Sequence, residues 1–96
     1  MSESYTRFDA AKYLKTPFEM AAYLEACFEE DSGDGLLIRA ALNDIARAQG
    51  MTQVARDAGL GRESLYKALS STGNPEFATI MKVMKALGLK LHASAV

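Results

Sequence analysis

The sequence predicts an all-α domain of five to six helices, and three observations carry that prediction. Apolar residues recur at three- and four-residue spacing along most of the chain. A helix start is written chemically at Thr16-Pro17-Phe18-Glu19. Glycine followed by an apolar residue marks three helix ends, at Gly50-Met51, Gly59-Leu60 and Gly88-Leu89. In such endings the glycine takes a left-handed backbone and the next side chain folds back on the last turn.

Length and charge narrow the class. A chain of 96 residues suits one domain and buries about 60–65% of its unfolded surface, so stability requires neither disulfide nor metal. Cys27 is the single cysteine, which rules out an intramolecular disulfide and a cysteine metal site and fits a reducing cytoplasm. The first residues lack an apolar run of signal length. No segment approaches the roughly 20 apolar residues of a membrane span. A soluble cytoplasmic protein without a membrane partner is therefore expected.

The formal net charge of −1 says little, but its distribution is uneven. Residues 1–34 carry Arg7, Lys12 and Lys15 against eight carboxylates, a net of −5, whereas residues 35–96 carry eight cations against four, a net of +4. The Ser32-Gly33-Asp34-Gly35 joint separates an acidic N-terminal helical extension (1–34) from a basic remainder (35–96). A basic half attracts phosphates even in a slightly acidic chain.

Each element has its own signal. In residues 5–15, Asp9 is an N-cap for a short helix ending near Leu14, and Tyr5, Phe8, Tyr13 and Leu14 are too apolar for a free tail. Next, Thr16 caps a helix reaching about Glu30, with Pro17 at its first position and Glu19 completing a capping box. Its buried stripe is Met20 or Ala21, then Leu24, Cys27 and Phe28, which makes Cys27 a core residue. Glu29, Glu30 and Asp31 crowd its C-terminus, where the macrodipole disfavours anions.

With Asp34 as cap, a long helix runs to Gln49 and buries Leu37 or Ile38, Ala41, Leu42 and Ile45. After a loop at 71–75, a last helix spans residues 76–87, with Phe77, Ile80, Met81, Met84 and Leu87 as its core face and Lys82 and Lys85 outside. Residues 89–93 alternate apolar and polar, a weak strand signal. A lone strand has no partner in a helical chain, so Leu89 and Leu91 are expected to pair with a second copy across a two-fold or to stay loose.

Residues 51–70, MTQVARDAGLGRESLYKALS, point to a function. Thr52 caps a first helix whose inner face is Val54, Ala55 and Ala58, and Gly59 ends it. A second helix over Arg62–Leu69 buries Leu65, Ala68 and Leu69 and turns Arg62, Glu63, Tyr66, Lys67 and Ser70 outward. A helix-turn-helix needs this pattern: Ala55 is small enough for the helices to cross, Gly59 allows the turn, and Leu65 anchors the second helix. An ordinary helical hairpin shares much of it. If the second helix enters the major groove of double-stranded DNA, Arg62 suits a bidentate contact to guanine. Glu63 accepts from cytosine N4 or orients Arg62, and Tyr66 touches a thymine methyl or a phosphate. Thr52, Gln53, Ser64, Lys67 and Ser70 fall to the phosphates. Two cations make a weak monomer, so a homodimer reading two half-sites is expected.

Catalysis has no foothold. The one histidine, His92, forms no nucleophilic pair with Cys27, the acidic clusters lack metal-loop spacing, and the glycines form no phosphate-cradling fingerprint. No cofactor, metal, enzymatic activity or small-molecule substrate is expected.

The chain resembles the addiction-module antidote proteins, antitoxins related to the HigA type and also described as DNA-binding prophage proteins. The resemblance lies in FDAAKYLKTP (8–17), the acidic EED ending (29–31), LNDIARAQGMTQVARDAGLGRESLYKALS (42–70) and GNPEFATIMKVMKALGLKL (73–91). It implies a Cro/C1-type, lambda-repressor-like helix-turn-helix antitoxin that represses its own operon and neutralises a small basic RelE/ParE-like toxin. Phe18 and Phe77 depart from the usual pattern without touching the reading face. On this resemblance the acidic half, with Phe8, Tyr13, Glu29, Glu30 and Asp31, is the expected toxin-binding region. A prophage-type repressor without a toxin is the alternative.

Overall fold

The computed structural model describes residues 12–96, which form five α-helices: α1 (Pro17–Glu30), α2 (Leu36–Gln49), α3 (Met51–Ala58), α4 (Arg62–Leu69) and α5 (Phe77–Ala86). Helix α1 packs on α2, α2 also meets α3 and α4, and α3 meets α4 and α5. One hydrophobic cluster joins all five, from Met20 and Leu24 through Leu42, Ile45, Val54 and Leu65 to Val83 and Met84. The expected short helix around Asp9 falls largely outside the described residues, so no sixth helix is present among them.

The capping box of α1 forms as its sequence dictates. Thr16 Oγ1 accepts from the Glu19 amide at 3.2 Å, and Glu19 Oε1 accepts from the amides of Thr16 and Lys15 at 2.9 Å each. These backbone donors, chiefly Lys15 and then Thr16, hold the Glu19 carboxyl below its ordinary range. Of the two residues offered for its inner face, Met20 is buried, with Leu24 and Cys27. Burial pushes the Cys27 thiol pKa up, which suits a packing residue and not a nucleophile. Phe28 is exposed, contrary to the expected stripe, because the seam against α2 runs through Tyr23, Leu24 and Cys27.

The joint after α1 explains part of the acidic crowding. Asp31 is the C-cap of α1, and its carboxylate accepts from the amides of Gly33 at 2.8 Å and of Gly35 and Leu37 at 3.0 Å each. Donation from Gly33 and Gly35 lowers its pKa. Asp31 thus serves the next helix more than the one it ends. Asp34 is not the N-cap of α2: Gly35 holds that place in a left-handed conformation, and Asp34 accepts from the Leu36 amide at 3.0 Å. Ile38, not Leu37, turns toward the core.

Helices α2 and α3 share one residue at their junction. Gly50 ends α2, donating to the Ala46 carbonyl, and is also the N-cap of α3, with φ 101° and ψ 111°; this is not the left-handed helical conformation expected of it, and Met51 starts α3 without the fold-back amide bond that Leu60 and Leu89 make. Thr52 is therefore not a cap; it lies exposed in the first turn of α3, because Gly50 alone separates the helices and buried Met51 already begins the second.

Helix α5 is turned relative to expectation. Val83, Met84 and Leu87 are buried with Ile80 beside them, whereas Phe77 is 68% exposed and Met81 40%. Its partner is α3, and Val83, which lies between the apolar positions named from sequence, faces the core. The expected strand does not form among the described residues: the chain is irregular from Leu89 onward. Leu89 donates its amide to the Met84 carbonyl at 2.9 Å, folding back on α5, and both Leu89 and Leu91 pack against the chain's own core.

Candidate nucleic-acid interface

The candidate site is the α3–α4 unit, and its rigidity comes from below. Leu65 is fully buried, Leu69 and Ala55 nearly so, and a residue as small as Ala55 lets α4 approach α3 closely. Gly59 takes the left-handed backbone at φ 73°, and Leu60 donates to the Ala55 carbonyl at 2.8 Å while its side chain returns to the core. The three motif residues read from sequence, Ala55, Gly59 and Leu65, therefore hold one joint.

With Leu65 and Leu69 turned inward, Arg62, Glu63, Ser64, Tyr66 and Lys67 are all exposed on α4. Arg62 rests against Tyr66 on this face. Its guanidinium carbon lies 5.5 Å from the Tyr66 ring centre, and Nη2 donates weakly to the Tyr66 hydroxyl at 3.4 Å. The one-turn spacing that makes the contact also leaves both groups on the outer surface. The N-caps of α3 and α4 are glycines, Gly50 and Gly61, and neither offers a side-chain cap. First-turn amides at such ends favour anions.

Other residues named from sequence are partly engaged. Gln53 donates to the Asp57 carboxylate at 2.9 Å, and Ser70, the C-cap of α4, donates its hydroxyl to the Lys67 carbonyl at 2.9 Å. Thr52 and Lys67 are exposed.

Two positioning residues escaped the sequence reading. Arg39, on α2, donates from Nη1 to the Gly73 carbonyl and so ties α2 to the loop that leaves α4. Gly73 lies so close to the end of α4 that a Cβ there would collide with the Lys67 carbonyl and stand 3.2 Å from the Ala68 carbonyl. Glycine is required at 73 for space, unlike Gly59, where only the backbone conformation requires it and no neighbour lies within 4 Å of a built Cβ. Nothing local marks Arg39, whose partner is 34 residues away.

At the other end of the molecule, Phe8 lies outside the described residues, Tyr13 is exposed, and Glu29 and Glu30 are exposed at the end of α1. Asp31 spends its carboxylate on the joint. Tyr23 donates its hydroxyl to Asp44 at 2.7 Å, and Asp44 also pairs with Arg47 at 2.9 Å, a clamp holding α1 on α2. Burial, then the hydrogen bond to Asp44, raises the Tyr23 pKa well above its ordinary value. Among the described residues no group of His, Cys, Asp and Glu has the arrangement of a metal site, and no helix is long and apolar enough to cross a membrane.

Comparisons with known proteins agree on kinship. A protein of Haemophilus influenzae strain Rd, described as uncharacterized, is 56% identical over 92 residues, covering 96% of this chain and 93% of its own length. No solved structure matches the chain. The family model that matches spans residues 4–95, nearly everything from the acidic start to the irregular tail, and the chain belongs to the family it describes, "Probable addiction module antidote protein".

Proposed function

We propose that the chain is the antitoxin of a two-component module: it binds operator DNA as a dimer through α4, represses its own operon and neutralises a RelE/ParE-like toxin. Membership of an antidote family is the observation that carries the reading, since an antidote implies a toxin. The α3–α4 unit supports the DNA half. Its inner residues are fixed in the core, and its outer ones offer Arg62 for guanine, Glu63 and Tyr66 for neighbouring bases, and Lys67 with uncapped helix amides for phosphates. Arg62 leaves the Tyr66 ring to reach a base edge, exchanging one π-face contact for a charge-assisted pair.

Two cations on α4 make few phosphate contacts, so affinity comes from pairing two copies on half-sites about one helical turn apart. The test has two arms. Expression of the neighbouring reading frame alone should arrest growth and co-expression of this chain should restore it. The purified chain should retain the DNA upstream of its own operon as a salt-sensitive complex containing two copies. A harmless neighbour with DNA retention intact would leave a repressor without a toxin. Failure of both arms would sink the proposal.

A further inference from the structure

The joint between α1 and α2 bounds a shallow open depression of about 390 Å³ that the DNA-reading unit does not use. Its apolar lining is Leu36 and Leu37, 43% and 37% exposed, with Ala40 one turn on. Its polar lining is Ser32 and the carboxylates of Glu30, Asp31 and Asp34. Both leucines keep a substantial part of their apolar surface in contact with water beside these carboxylates.

Part of this charge is available to a partner. Neither Glu30 nor Asp34 forms an ion pair with a described residue, whereas the Asp31 carboxylate is already engaged by the amides of Gly33, Gly35 and Leu37. The depression also has stable walls, since the Tyr23–Asp44–Arg47 clamp fixes α1 against α2 farther along the hairpin.

The geometry points to this depression as the docking surface for a cationic, partly apolar segment of the neutralised toxin, with Leu36, Leu37 and Ala40 taking apolar side chains and Glu30 and Asp34 taking Lys or Arg. The assignment rests on the antitoxin reading. Charge complementarity selects the occupant: a neutral apolar segment would leave the carboxylates desolvated and unpaired, and a nucleic acid would be repelled. Position then adds a functional consequence. Arg39 reaches from α2 toward the loop after α4, while Leu37, two residues earlier, lies roughly 160° away around the helix. The depression and the α4 side of α2 therefore face different directions, and a bound toxin segment leaves α4 open to DNA.

The test uses the full chain and the protein encoded by its neighbouring reading frame. Two variants are compared with wild type, the double replacement Leu36→Ser with Leu37→Ser and the single replacement Glu30→Lys, each checked by thermal melting and by retention of promoter DNA. The expected result is affinity for the neighbouring protein reduced about tenfold or more in each variant, with DNA retention unchanged. Glu30→Lys alters one exposed side chain, so it remains decisive if the double variant does not fold. Wild-type binding that both variants keep would overturn the docking assignment and leave the antitoxin reading standing. Absence of wild-type binding and rescue would overturn the antitoxin reading itself. Self-association of the chain that either variant abolishes would show a second copy in the depression and likewise overturn the assignment.

Discussion

The two ends of the molecule solve opposite problems. At the α3–α4 end the apolar side chains are spent inward, on Val54, Ala55, Leu65 and Leu69, and the outer surface is polar except for the Tyr66 ring, 44% exposed under Arg62. At the α1–α2 end the described surface still shows large apolar groups, Phe18 at 83% exposure and Phe28, Leu36 and Leu37 near 40%, beside Glu29, Glu30 and Asp34, which form no ion pair with a described residue. The proposed DNA contact needs rigid placement of a few polar groups, and burial beneath α4 would provide that. Apolar groups left beside charge suit a protein partner, whose binding removes both from water.

Variants that break the α3–α4 end should cost the most. Leu65→Ala empties a fully buried site and is expected to lower stability by about 2–5 kcal/mol in denaturant titration. Gly73→Ala drives a methyl into the carbonyls closing α4 and should cost about 1–3 kcal/mol. It should also weaken DNA retention beyond what the loss of folded protein explains, because the end of α4 must shift.

Smaller effects are expected at the hairpin. Tyr23→Phe removes a half-buried hydrogen bond to Asp44, and about 1 kcal/mol of stability should go with it while DNA retention stays unchanged. A loss of DNA binding in this variant would show the two ends to be coupled.

The smallest effect concerns pH. Asp31 and Glu19 have folded-state pKa values below their ordinary ones, so their stabilisation is present above about pH 4 and is lost as pH falls through the folded values. Melting temperature should drop on acidification, and Asp31→Asn should flatten the acid limb in a series of melts between neutral and acid pH.

What could be read from sequence follows the range of the interactions. Helix ends were legible because caps are local: Thr16 with Glu19, and the glycine endings at 50, 59 and 88, lie within a few residues of what they stop. Thr52 misled because the single residue Gly50 both ends α2 and caps α3, so the cap stands two residues before the threonine. The inner face of α5 was misjudged at Phe77 and Met81 because apolar spacing names a helix without saying which neighbour it lies against. In the candidate site, the outward residues of α4 followed by subtraction once Leu65 and Leu69 were placed. Arg39, Gly73 and the Tyr23–Asp44 pair did not, since each contact joins segments far apart in the chain or depends on a close approach that no local pattern records.

Arg62→Ala tests most directly the proposal that α4 reads DNA. The side chain is exposed, so its removal leaves the fold unchanged and isolates the contact. Titration of a labelled fragment from upstream of the chain's own operon should show saturable, salt-sensitive binding by wild type. For Arg62→Ala it should show affinity weaker by about 1–3 kcal/mol, with sequence preference relaxed at one base pair of each half-site. Equal affinity and unchanged preference in the variant, or no binding by wild type even at low salt, would contradict the account.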